Sequence, residues 1–160
     1  MLISLLLWVV AALAVEGEEP QAAQAPPKTL GDYLSDLAND DNAERLYAAR
    51  YVRGELRRAL RAAASRPPGS TEELEARVVL TELWNRVPGS CAVALKFTNT
   101  AAPCAEMLAD LEVDTMHEAV RASLALDLGK GQRARIEKAI ARLPPPAAPV
   151  SPADTTLVLP

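Results

Sequence analysis

Between residues 43 and 64 the apolar side chains Leu46, Ala49, Val52, Leu56, Leu60 and Ala63 recur at steps of three and four. At about 100° per residue they fall within roughly a third of a helix circumference, leaving the charged residues to the remainder. A stripe of that period cannot be laid on a strand, and β-branched alternation is almost absent elsewhere. Aromatic residues make up only 4 % of the 160-residue chain while Ala is abundant. Ala is the best helix former, and its small side chain lets helices approach closely. The expected class is all-α, with an irregular helical bundle as one architecture open to it.

Local punctuation divides the body into helices. Thr29 is placed to cap a first helix carrying Leu30, Tyr33, Leu34 and Leu37 at helical spacing. Asn39-Asp40-Asp41-Asn42 reads as a turn and cap before the long helix, which Arg66-Pro67-Pro68-Gly69 ends. Ser70, with Glu73 three residues on, has capping-box spacing and opens a third helix with Ala76, Val79, Leu80, Leu83, Trp84 and Val87 on its apolar side. Pro88-Gly89 is expected to stop it. Two short pieces over 91–97 and 102–111 follow, joined by Thr98-Asn99-Thr100 and forming the weakest hairpin of the chain. A sixth helix over 115–128 is apolar in nearly every direction, which predicts a central, covered position. Gly129-Lys130-Gly131 reads as its C-cap and turn, and Ile136, Ile140 and Leu143 define the inner face of the last helix. Trp84 and Tyr33 are expected in the core.

The two ends have a different character. Residues 1–14 carry no charged side chain and close on Ala12-Leu13-Ala14 before Val15-Glu16-Gly17-Glu18-Glu19. As a helix this run spans about 21 Å at ~1.5 Å per residue, short of the ~30 Å hydrocarbon core. It matches the apolar region and small-x-small site of a secretory signal, with cleavage expected after Ala14. The alternative is an uncleaved anchor, because no Lys or Arg precedes the run. Residues 15–28 read as a Pro/Ala/Glu-rich linker, 29–142 as the helical domain and 143–160 as a Pro-rich disordered tail. The chain is therefore expected to be exported, periplasmic or extracellular. In that setting Cys91 and Cys104 are expected to form a disulfide closing a short loop, worth roughly 3 kcal/mol; the alternative is two buried free thiols. A metal site built from both with His117 lacks a fourth ligand.

Three segments share a pattern: Asp41-Asn42-Ala43-Glu44-Arg45, Glu75-Ala76-Arg77-Val78-Val79-Leu80, and Asp114 through His117-Glu118-Ala119-Val120-Arg121-Ala122. In the first and last, Tyr33-Leu34-Ser35-Asp36-Leu37 or Met107-Leu108-Ala109-Asp110-Leu111 precedes an acidic turn and an Arg-bearing helix. This resembles the HEAT family of α-solenoid repeats, in which an Asp-bearing turn joins two antiparallel helices. The resemblance implies a short HEAT-like solenoid in which Asp41, Arg45, Arg77, Asp114 and Arg121 are structural residues rather than parts of a catalytic site. The stretch between the two better-matching hairpins fits the pattern poorly.

Enzyme signatures are missing: the sequence has no nucleophile elbow, no zinc-ligand motif and no Gly-rich phosphate loop. His117 is the sole histidine, and the carboxylate pairs Asp40-Asp41 and Glu72-Glu73 stand at helix starts, where negative charge meets the helix dipole. No catalytic residue, cofactor or metal is expected. A net charge of −4 argues against a nucleic-acid binder. Against that acidity, Arg50, Arg53, Arg57 and Arg61 form a basic stripe along the second helix, with Arg58 and Arg66 nearby. The bland account is a solvated face; the functional one is a surface for an anionic partner. The expected function is an exported, non-enzymatic protein-interaction or scaffold module of the cell envelope with an unknown protein partner. The alternatives are a peripheral binder of an anionic membrane surface and, more distantly, an unrecognised small hydrolase.

Overall fold

The computed structural model describes residues 27–145. The signal-like segment, nearly all of the linker and the tail beyond Pro145 lie outside the described residues. Within them every regular element is helical, and no strand is present. The order is α1 (Leu30–Asp36), α2 (Asn42–Ser65), α3 (Thr71–Ala94), α4 (Thr98–Asp110), α5 (His117–Ala122) and α6 (Lys130–Ile140), with 3-10 turns at Asp114–Met116 and Ser123–Ala125 flanking α5.

The caps form largely where the sequence places them. Thr29 Oγ1 accepts from Asp32 N–H, and the Asp32 carboxylate accepts from Thr29 N–H at 2.7 Å, a complete capping box. Asp41 caps α2 by accepting from Ala43 and Glu44 N–H at 2.7 and 2.9 Å. Gly69 has φ 82° in a turn closed by Ser70 N–H to Pro67 C=O. Glycine suits that left-handed position, and Pro68 before it is pre-set for such a turn. Ser70 accepts from Glu73 N–H, but the Glu73 carboxylate accepts from Gly69 N–H rather than closing the box on Ser70.

Three expectations are overturned. α3 does not stop at Pro88-Gly89 but continues to Ala94. An interior proline forfeits a hydrogen bond and crowds the preceding turn, a cost of about 3 kcal/mol. What offsets it is burial of Cys91 and Ala94 on the continuing helix, with Leu95 just beyond. The weak hairpin after Pro88 does not form either; its second piece becomes α4, the centre of the fold. Thr100, Ala101, Ala102, Cys104, Ala105, Met107 and Leu108 are fully buried, and α4 packs against α2, α3 and α6. Its Ala and Thr side chains, uninformative as a periodic pattern, permit that close approach. Conversely, the all-round apolar segment over 115–128 is not a continuous central helix. It breaks into α5 between two 3-10 turns, and Gly129 begins α6 instead of ending a helix.

The core joins Leu34 and Leu37 of the first hairpin to Val52 and Leu56 of α2, Leu83 and Val87 of α3, Met107 and Leu108 of α4, Val120 of α5 and Ile136 of α6. α4 ends in a left-handed residue, Glu112 at φ 55°. Val113 N–H reaches Leu108 C=O and Glu112 N–H reaches Ala109 C=O, the bonds of a Schellman cap.

Candidate functional site: a basic face across three helices

α2 buries Ala48, Ala49, Val52, Leu56 and Ala59, which turns Arg50, Arg57 and Arg61 to solvent. Arg53 leans toward α4, half-buried, and its Nη2 lies 2.6 Å from Glu106 Oε2. The same carboxylate receives Arg135 of α6 in bidentate fashion, Nε to Oε1 at 2.6 Å and Nη2 to Oε2 at 2.9 Å. One turn along α4, Asp110 pairs with Arg142, just beyond the end of α6.

α2, α4 and α6 thus lie side by side, with two carboxylates on the middle helix flanked by arginines from both neighbours. Glu106 loses solvation by burial, which alone would raise its pKa. The Arg135 hydrogen bonds and the charges of Arg135, Arg53 and Arg57 outweigh that loss and hold it below the usual carboxylate range. Burial lowers the Arg53 pKa, partly offset by Glu106, while the Glu106 hydrogen bond raises that of Arg135. Two acids among Arg53, Arg57, Arg135 and Arg142 leave a positive excess, which Arg50 and Arg61 extend along α2.

The four stripe arginines therefore differ in kind. Arg53 is tied into the bundle; Arg61 donates through Nε to Arg57 C=O; Arg50 and Arg57 are exposed. Arg58 and Arg66 belong elsewhere, beside Glu55, Glu72 and Glu75 on a groove of about 330 Å³ between α2 and α3, where Arg58 pairs with Glu55. Arg135 and Arg142 escaped sequence reading, although a signal existed. Glu106 and Asp110, four apart, are the sole charges of α4, and a carboxylate pair on an otherwise apolar central helix calls for cations from its neighbours.

The repeat-pattern residues take separate places. Arg45 is buried; its Nη1 donates to Asn39 C=O at 2.5 Å and Asp40 C=O at 3.2 Å, and its Nη2 donates to Asn42 Oδ1 at 3.1 Å. Its guanidinium lies 3.6 Å from the Phe97 ring centroid, linking the α1–α2 turn to the α3–α4 junction. Arg77 pairs with Glu73. Asp114 opens a 3-10 turn and Arg121 is exposed on α5.

Tyr33 packs against the core and stacks on Tyr51 with centroids 3.9 Å apart. Trp84 corrects the expectation of a core residue: it is 57 % exposed, because α3 turns Leu83 and Val87 inward instead. His117 is buried, its Nδ1 3.9 Å from Glu118 Oε1 and without a hydrogen-bond partner. Cys91 and Cys104 are brought side by side, buried between α3 and α4, as thiols rather than as a bonded disulfide. Burial, and then the neighbouring Cys104, push the Cys91 thiol well above its ordinary pKa.

Among the described residues no cluster of His, Cys, Asp and Glu is arranged to hold a metal ion, and no helix is long and apolar enough to cross a membrane. No protein-family model, curated protein or solved structure matches the chain.

Proposed function

We propose that this chain is an exported, non-enzymatic interaction module of the cell envelope whose basic face docks an acidic segment of a protein partner. The observation carrying this reading is the convergence of arginines from α2 and α6 on a face whose two carboxylates, Glu106 and Asp110, are already paired. Guanidinium groups suit carboxylates because their planar donors match the acceptor geometry. A membrane surface is the less favoured occupant. A helix lying in a bilayer interface needs a free apolar side, and that of α2 is committed to Val52, Leu56 and the rest of the core. The HEAT-like resemblance accords with Asp41 as a cap and Arg45 as a turn anchor, and stays part of this proposal.

The test uses the full chain and a fluorescent glutamate-rich peptide as probe. Binding is expected to weaken as salt rises. Replacing Arg50, Arg57 and Arg61 by Gln is expected to lower affinity about tenfold or more while leaving helicity intact. Preference for phosphatidylglycerol vesicles over the peptide, or binding indifferent to salt and to the substitutions, overturns the reading.

Export carries two further expectations. Mass spectrometry of the secreted product should find a chain beginning at Val15; an intact Met1 on a membrane-bound form means an anchor. In an oxidising compartment Cys91 and Cys104 together would give two electrons and two protons to a disulfide-exchange oxidant and become one disulfide. Full thiol labelling of the denatured, unreduced native protein overturns that pairing.

A further inference from the structure

All three tyrosines of the chain meet at one place. Tyr33 of α1 stacks on Tyr51 of α2 with centroids 3.9 Å apart, and the Tyr47 ring stands 5.7 Å from Tyr33, inclined by 50°. The Tyr33–Tyr51 stack joins α1 to α2, whereas Tyr47 adds a ring that is 58 % exposed. Tyr33 and Tyr47, with Lys28, Ala43 and Glu44, line an open groove of about 450 Å³. Its charges are already paired: Lys28 Nζ lies 2.7 Å from Glu44 Oε2 and 3.0 Å from Asp36 Oδ2. The aromatic rings are what the groove still offers. An aromatic-lined groove suits a polyproline II segment, whose backbone is ordered before it binds.

The chain carries such a segment itself. Pro146, Pro149 and Pro152 recur at steps of three. A polyproline II helix has about three residues per turn at ~3.1 Å each, so prolines in that register share one edge. Asp154, two residues on, is the one charged side chain of residues 146–160. On α2, Arg50 stands one turn from Tyr47, exposed and on the same outer side. We propose that the groove at Tyr33 and Tyr47 receives residues 146–154 of a second copy, with the proline edge on the rings and Asp154 at Arg50. The position of the tail calls for a second copy. Tyr51 and Arg53, two residues apart, point about 200° from each other around α2. Tyr51 meets Tyr33 of α1, and Arg53 meets Glu106 of α4, so α1 and α4 flank α2 on opposite sides. The tail leaves from the α4 side, where Arg142 pairs with Asp110. The proline edge begins at Pro146, directly after Pro145, so no spare chain remains to pass around a helix about 10 Å wide. Donor tail and acceptor groove are different surfaces, so two copies exchange tails reciprocally or a series runs head to tail.

A fluorescently labelled peptide of residues 143–160, titrated with the full chain, is expected to bind saturably. Tyr47→Ala changes an exposed side chain, so the chain should stay folded while its affinity for this peptide falls at least about tenfold. The same variant should bind the glutamate-rich peptide as wild type does, which separates this contact from the docking of an acidic segment. Asp154→Asn in the peptide and Arg50→Gln in the chain should each cost about threefold, and together no more than either alone, as expected of one exposed ion pair. Sedimentation velocity of the full chain should show self-association setting in near the peptide's Kd. A peptide that does not bind overturns the proposal. So does one that binds the Tyr47→Ala chain equally well, or a scrambled peptide of the same composition that binds as tightly. A full chain that stays monomeric well above that Kd also overturns it, since its tail then does not reach the groove of a second copy.

Discussion

α2 and α3 are neighbours of equal length, 24 residues each, yet they meet solvent in opposite ways. α2 turns out arginines and keeps its large apolar residues inside, Tyr47 excepted. α3 turns out Leu74, Val78 and Trp84 while burying Leu83, Val87 and Cys91 just as fully. Inward they do the same work; outward they offer two chemistries on two sides of the bundle. The inner faces account for folding. The proposed recognition would belong to the outer ones, where the exposed arginines and the exposed apolar side chains lie outside the core.

The largest expected effect tests the inner equivalence. Leu56 on α2 and Leu83 on α3 are both fully buried, so Leu56→Ala and Leu83→Ala should each cost about 2–5 kcal/mol in denaturant unfolding. A loss confined to one helix would show that the other is peripheral to the core and would break the comparison.

A smaller effect separates how the two helices are fastened. α2 is tied to α4 and α6 through the Glu106 hub, whereas the inner contacts of α3 are chiefly apolar. Removing the Glu106 charge leaves Arg53 and Arg135 facing each other, so Glu106→Gln should cost about 2 kcal/mol at neutral pH. The sign of the pH dependence follows from the lowered carboxyl. Its contribution is complete above the ordinary value of 4.5 and is lost as pH falls through the lower value in the folded state. Asp32, Asp41 and Glu73, whose carboxyls are also lowered, weaken in the same direction. Wild type should therefore lose more stability between pH 6 and roughly pH 3 than the Gln variant does. Equal acid sensitivity would mean that the hub contributes nothing to holding α2.

The sequence is readable where one helix decides its own fate. α2 has a stripe of the right period, an Asp41 cap and a Gly69 stop, and its observed span agrees with the expected one within a residue or so. Legibility fails where a neighbour decides. Pro88 is a local stop signal, overruled because Cys91, Ala94 and Leu95 gain a buried site against α4. α4 itself has no readable stripe, since Thr100, Ala101, Ala102 and Ala105 matter through their smallness to helices distant in sequence. The segment over 115–128 errs the other way: its apolar residues suggest a centre, but half-exposed Leu124, Leu126 and Leu128 only pack onto the edge of the core. The basic face is half legible for the same reason. Arg50, Arg57 and Arg61 are set by α2 alone, whereas Arg135 and Arg142 join them only through Glu106 and Asp110.

The smallest expected effect sharpens the outer contrast. Residues that contribute to recognition and not to the core should be nearly silent in stability when replaced by side chains their helix tolerates. Arg57→Gln on α2 and Val78→Gln on α3 should each shift the unfolding free energy by no more than about 0.5 kcal/mol in denaturant unfolding of the unliganded chain. With the glutamate-rich peptide present in excess the two should part. The peptide should stabilise wild type and the Val78→Gln chain alike and the Arg57→Gln chain less, because mass action stabilises only the form that binds. If both variants respond to the peptide alike, the outer faces of α2 and α3 are not distinct in this respect, and the division between a charged side and an apolar side fails.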